Sequence, residues 1–92
     1  MCGVTVSKTF EIKNRLGLHA RAAALLVQTA SRFSAKVTVT KDGQAVDGKS
    51  ILGLMMLAAA QGSQIHVAAE GPDAAEALAA IERLVSEKFY ED

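Results

Sequence analysis

Gly17-Leu18-His19-Ala20-Arg21 sets an imidazole and a guanidinium two residues apart, behind a glycine. Residues 22–27 are apolar and helix-forming, while residues 4–12 alternate like a strand, so His19 is expected at or near a helix N-cap. Unpaired backbone N–H groups and the positive end of the helix dipole favour a phosphate at such a point. A neutral imidazole placed there accepts a phosphoryl group on a ring nitrogen, and Arg21 pairs the phosphoryl oxygens. Gly17 permits a close approach or an unusual turn. No cysteine lies near, and no Asp or Glu occurs between Glu11 and Asp42. The surroundings are therefore expected to be poor in carboxylates, which suits a site that takes on a doubly negative group. The competing reading is a capping or surface histidine with no chemistry.

Ser50 is the second candidate, and its plain reading is a helix N-cap. The segment behind it, Ile51, Leu52, Leu54, Met55, Met56 and Leu57, is apolar all round, and one helix cannot bury every face against one sheet. Part of it should stay exposed and dock proteins, chiefly through Leu52 and Met55, with Ala20 contributing beside His19. At least one of Met55 and Met56 is expected to fill a core gap. His66 falls on the strand face opposite Ile65 and Val67 and is given no role, and Cys2 is an incidental thiol ahead of the first strand.

The elements that must position these residues follow from periodicity. Val4, Val6, Lys8, Phe10 and Ile12 alternate with polar residues, giving a half-buried first strand. After a turn at residues 13–17 comes a helix of about a dozen residues ending at Arg32, with Arg21, Gln28 and Arg32 on its wet side and Leu26, Ala30 and Phe33 opposite. Residues 36–41 alternate again and run into Asp42-Gly43, a hairpin signal because both central residues of the tight turn need positive φ. The return strand is 44–46, and a short helix over 51–60 is closed by Gly62. A fourth strand spans 64–70. Gly71-Pro72-Asp73 then turns into a last helix over 74–88 with Ala74, Leu78, Ile81, Val85 and Phe89 inward and Glu82, Arg83 and Glu87 in water. The order β-α-β-β-α-β-α implies an α/β (α+β) open-faced sandwich, a four-stranded antiparallel sheet covered on one face by three helices.

Ninety-two residues, half of them apolar, make one domain over 1–92 with a core that needs no staples. One cysteine excludes an intramolecular disulfide and a cysteine zinc site, and no metal or cofactor is expected. Ten basic residues balance ten acidic ones, which argues against general nucleic-acid binding. No signal-like or membrane-spanning run occurs, so a cytoplasmic monomer with protein partners is expected.

With these residues placed, the chain resembles the HPr family, the histidine-containing phosphocarriers of the bacterial phosphoenolpyruvate-dependent phosphotransferase system, over almost its whole length. Gly17-Leu18-His19-Ala20-Arg21 is similar to the family's phosphorylation motif. Gly48-Lys49-Ser50-Ile51 with Leu54-Met55-Met56-Leu57 is similar to the segment that holds its regulatory serine. The resemblance implies that His19 receives a phosphoryl group from phosphorylated enzyme I and passes it to enzyme IIA-type proteins, so that the protein is a carrier and not an enzyme. It also implies that Ser50 is a target of HPr kinase/phosphorylase where an organism has that enzyme. Where the family commonly has proline after the arginine, this chain has Ala22, which softens the helix N-terminus slightly. Residues 62–92, above all Gln64-Ile65 and Glu91-Asp92, look like the nitrogen-related branch. Two other functions are weighed: a purely regulatory module of the same fold controlled through Ser50, and a small acylphosphatase-like enzyme using Asn14 and Arg21. The last lacks any carboxylate or metal arrangement for hydrolysis.

Overall fold

The computed structural model describes residues 4–91. Four strands, β1 (Val4–Glu11), β2 (Lys36–Lys41), β3 (Gln44–Asp47) and β4 (Gln64–Gly71), form one antiparallel sheet in the order β1-β4-β2-β3. Helices α1 (Ala20–Ser31), α2 (Ile51–Met56) and α3 (Ala74–Ser86) join them, so two split β-α-β units interleave as the element order implies. Register follows the alternation of side chains: Phe10 faces Ile65 across β1 and β4, and Val39 faces both Val67 on β4 and Val46 on β3. Phe10, Val37, Val39, Ile65, Val67 and Ala69 make the buried face, and the helices cover it with Leu26, Leu54, Ile81 and Leu84 among others. Lys36, His66 and Glu70 lie exposed on the other face of β2 and β4. The β2–β3 hairpin closes through Asp42 and Gly43 at φ 51° and 83°, as its sequence requires.

Expectations about β1, α2 and α3 fail. Val4 is 59% exposed and Lys8 is also exposed, so the inward series of β1 is buried only from Phe10 on, with Val6 half-buried. β1 is an edge strand, and a charged residue in its inward series guards that edge against further pairing. Lys8 pairs with Glu82 of α3, which is half-buried and not on a fully wet face, and its Nζ lies 5.9 Å from the centre of the Phe10 ring.

α2 stops at Met56, four residues short of the expected end. Leu57 and Ala58 donate to carbonyls three residues back, Ala58 takes φ 51°, and the buried Ala59 turns its carbonyl to the N–H of Leu18 at 2.8 Å. A continued helix would not present that carbonyl, so a tertiary bond overrides the helix propensity of three alanines. Gly62 does not close the helix. It lies at φ 90° in the turn before β4 and donates to Ile12 at 2.8 Å.

α3 ends at Ser86, and a left-handed turn, Lys88–Tyr90, follows it. That turn buries Phe89 and brings Glu91 back to the loop after β1. Leu78 is only half-buried in the α3 stripe, where Ala77 and Leu84 are buried instead. Asp73 precedes α3, but its carboxylate accepts from the N–H groups of Ser34 and Ala35 at 2.9 and 2.8 Å, and among the described residues it does not cap its own helix. The Ser34 N–H, opposed by partial desolvation and aided by the Ala35 N–H and Lys49, holds the Asp73 carboxyl below its ordinary pKa.

Candidate functional site

The loop between β1 and α1 is held from behind. Ile12 is fully buried and trades hydrogen bonds of 2.8 Å with Gly62 and Ser63. Asn14 accepts from the Gly17 N–H at 3.2 Å, and its Nδ2 donates to the Gly17 carbonyl at 2.7 Å. Gly17 has φ 69°, and a Cβ there would come within 2.4 Å of the Ala59 carbonyl oxygen, so glycine is required by both conformation and space. Leu18 is buried and bonded to Ala59, which delivers the next residue, His19, to the surface.

His19 is the N-cap of α1, at φ −76° and ψ −179°. Its carbonyl accepts the first helical bond, from Ala23 at 2.8 Å, and its side chain makes no capping bond among the described residues. The N–H groups of Ala20, Arg21 and Ala22 have no intrahelical acceptor, and the first turn carries no acidic residue. The half-buried imidazole borders two depressions. One, of about 300 Å³, is lined by Arg15, Leu16, Arg21, Tyr90 and Glu91 together with Phe89. The other, of about 270 Å³, is apolar and runs over Leu16, Leu18 and residues 58–60. Arg21 and Ala20 are exposed, and Arg21 shares the first depression with His19.

Two residues here escaped the sequence reading. Arg15 adds a second guanidinium to the wall. Glu91 overturns the expectation of a carboxylate-poor surround, since its two carboxylate oxygens lie 3.2 and 3.3 Å from the Leu16 N–H. Seventy-five residues separate Glu91 from Leu16, so counting acids along the chain near His19 could not find it.

Ser50 is the N-cap of α2, and its Oγ accepts from the Gly53 N–H at 3.0 Å. Beyond it, Ile51, Leu52, Met55 and Met56 are 42%, 70%, 43% and 63% exposed, and only Leu54 of this helix is buried. Neither methionine fills a core gap, contrary to expectation. α1 and α2 pack against each other, and Leu16, 61% exposed, adds to the apolar surface beside His19. His66 is exposed, with Nδ1 3.1 Å from Thr9 Oγ1. Cys2 lies outside the described residues. Among those residues no cluster of three His, Cys, Asp or Glu could hold a metal, and no helix is long and apolar enough to cross a membrane.

Fold and loop together define a class: small open-faced α/β sandwiches with an accessible histidine at the start of their first helix. The family model for the PTS HPr component phosphorylation site matches residues 6–87. The chain is 51% identical to the phosphocarrier protein HPr of Treponema pallidum (strain Nichols), covering 95% of this chain and 99% of that one. It is 49% identical to the HPr-like protein Crh of Halalkalibacterium halodurans over 83% of this chain and 90% of that protein. The crystal structure of HPr-C-His from Thermoanaerobacter tengcongensis superposes with a TM-score of 0.91 at 49% identity, covering 95% of this chain and 98% of that one. The chain belongs to the HPr family, the phosphocarriers of the phosphotransferase system.

Proposed function

We propose that His19 is the phosphoacceptor of a relay, taking a phosphoryl group from phosphorylated enzyme I and handing it to enzyme IIA-type proteins. The observation that carries this reading is the imidazole at the α1 N-cap, free of any capping bond among the described residues and walled by Arg15 and Arg21. The unprotonated ring nitrogen attacks phosphorus. The bond from phosphorus to the donor breaks, its electron pair leaves with the donor, and the onward step reverses these roles at an acceptor. Arg21 and the free N–H groups of the first turn hold the phosphoryl oxygens. Donor and acceptor dock in turn on one face made by Ala20, Leu52 and Met55, whose flat exposure suits a small, quickly dissociating interface of under about 1,200 Å².

Ser50 belongs to the same reading as a regulatory phosphorylation site for an HPr kinase/phosphorylase. A phosphate there carries about −1.5 to −2 charges next to Leu52 and Met55, which a partner must desolvate, and it repels a phosphorylated donor. The protein then acts as a cytoplasmic monomer, serving either the sugar or the nitrogen-related branch. Incubation with enzyme I and phosphoenolpyruvate should yield acid-labile phosphate on the wild type and none on His19→Ala. Phosphate retained by His19→Ala would refute the assignment. A wild type that gains none would favour the regulatory module, with Ser50 as its switch.

A further inference from the structure

Asn14 is, among the described residues, the one polar side chain buried in an otherwise apolar interior, at 1% exposure. Its Nδ2 donates to the Gly17 carbonyl at 2.7 Å, while its Oδ1 has no hydrogen-bond partner among the described residues. The orientation of the amide is not ambiguous: turned over, Oδ1 would face the Gly17 oxygen, acceptor against acceptor. A buried acceptor left unpaired costs more than a neutral hydrogen bond typically returns. Stability alone would therefore be served as well by an apolar residue at position 14. What the amide supplies is position.

The peptide unit between Gly17 and Leu18 is fixed at both of its polar atoms. Its oxygen receives Asn14 Nδ2, and its N–H donates to the Ala59 carbonyl at 2.8 Å. With both ends tied, this peptide plane cannot turn about the chain, and the residue that follows it is anchored at Leu18 by burial. The next residue is His19. Release of the Gly17 oxygen would let the plane rotate and swing the N-cap, so that the imidazole would face Arg15 and Arg21 only part of the time.

We infer that Asn14 is a positioning residue for the phosphoacceptor, acting through the Gly17 carbonyl; the inference rests on the phosphocarrier reading of His19. Asn14, at 1% exposure, is covered by the described residues and so offers a docking partner no surface. Its loss should slow the transfer step itself and leave docking intact. Misplacement of a reacting group by about 1 Å can cost on the order of a hundredfold in rate, so a loss of about tenfold or more in kcat is expected.

Steady-state phosphorylation by enzyme I, with the carrier as varied substrate, separates the possibilities for wild type, Asn14→Ala, Asn14→Asp and the core control Ile65→Val. Asn14→Asp keeps the side-chain shape and replaces the donor by an oxygen. Both Asn14 variants should lose kcat by about tenfold or more with KM within about twofold of wild type. A role in stability alone gives the other pattern, the one expected of Ile65→Val: apparent KM rises as the folded fraction falls, and kcat is unchanged. That pattern in the Asn14 variants, or kinetics equal to wild type, would overturn the inference. Should both variants fail to fold, the wild type decides. One Asn14 side-chain proton should exchange slowly with deuterium and shift when His19 is phosphorylated; fast exchange, or no shift, would overturn the inference. Absence of any phosphate on the wild type would instead refute the phosphocarrier reading.

Discussion

Gly17→Ala should cost about 2–5 kcal/mol of folding stability, and Gly62→Ala only about 1–2 kcal/mol, although both glycines lie at positive φ. The left-handed conformation penalises a Cβ by roughly 1–2 kcal/mol at either position. Any gain from a stiffer unfolded chain is shared and cancels in the comparison. The difference is steric. A Cβ at Gly62 meets nothing within 4 Å among the described residues, whereas at Gly17 it lies 2.4 Å from the Ala59 oxygen and 3.0 Å from the Ala60 Cα, both backbone atoms that no rotamer change can move. Relief requires the two segments to separate by roughly 1 Å, to reach ordinary contact distance. That stretches the 2.8 Å bond from Leu18 to Ala59 beyond hydrogen-bond length and leaves a buried N–H unpaired, worth about 1–3 kcal/mol. Urea titrations followed by far-UV circular dichroism give both values from the midpoints, provided the slopes agree. If the two variants were destabilised equally, to within about 0.5 kcal/mol, the close approach of Gly17 to Ala59 would not be what holds the loop.

Ser50→Ala removes the acceptor of the Gly53 N–H and should cost about 1 kcal/mol by the same titration; no loss would show that water caps α2 equally well. The Asp73 carboxyl is held below its ordinary value of 3.8 in the folded chain, so its contribution is complete above that pH and is lost as pH falls through the lower folded value. Asp73→Asn should therefore flatten the stability profile below about pH 4, and parallel profiles for the two proteins would contradict this. Glu91→Gln removes a negative charge from the depression that His19 borders; a solvated unit-charge pair at about 4 Å is worth ~1 kcal/mol, so phosphorylation should rise up to about fivefold at low salt and less at high salt. Equal rates at low ionic strength would show that the Glu91 charge is not felt at the site.

What the sequence discloses about this site depends on how local each cause is. Asp42-Gly43 announces its turn because the two residues themselves carry the positive φ, and Ser50 announces its cap because the bond spans three residues. His19 is legible at a helix start for the same reason. The end of α2 is not legible, since the alanines at 58–60 favour helix and the bond that stops them comes from Leu18, forty-one residues upstream of Ala59. The left-handed turn at Lys88–Tyr90 has no glycine to mark it. Phe89 was readable as apolar and inward, but the reversal that buries it, and the arrival of Glu91 at Leu16, come from packing. Arg15 and Asn14 lie within the loop and in plain view, yet nothing in their spacing tells which points to the pocket and which to the interior.

The two helix starts show how one chain separates support from chemistry. At α2 the N-cap side chain is occupied: Ser50 satisfies Gly53, and the helix has one fewer donor to offer. At α1 the N-cap side chain satisfies nothing among the described residues, and the missing cap forgoes about 1 kcal/mol. Packing offsets that loss, because Ala22, Ala23, Leu26 and Ala30 are all fully buried. The loop ahead of His19 is likewise held by atoms behind it, Asn14 Nδ2 and the Ala59 oxygen, and not by the imidazole. An imidazole that took part in either task would have to release a structural bond each time a phosphoryl group came or went. Because it takes part in neither among the described residues, a phosphoryl group carried on His19, as proposed, would leave those bonds in place, and the N–H groups of Ala20, Arg21 and Ala22, which lack an intrahelical acceptor, would stay available to it.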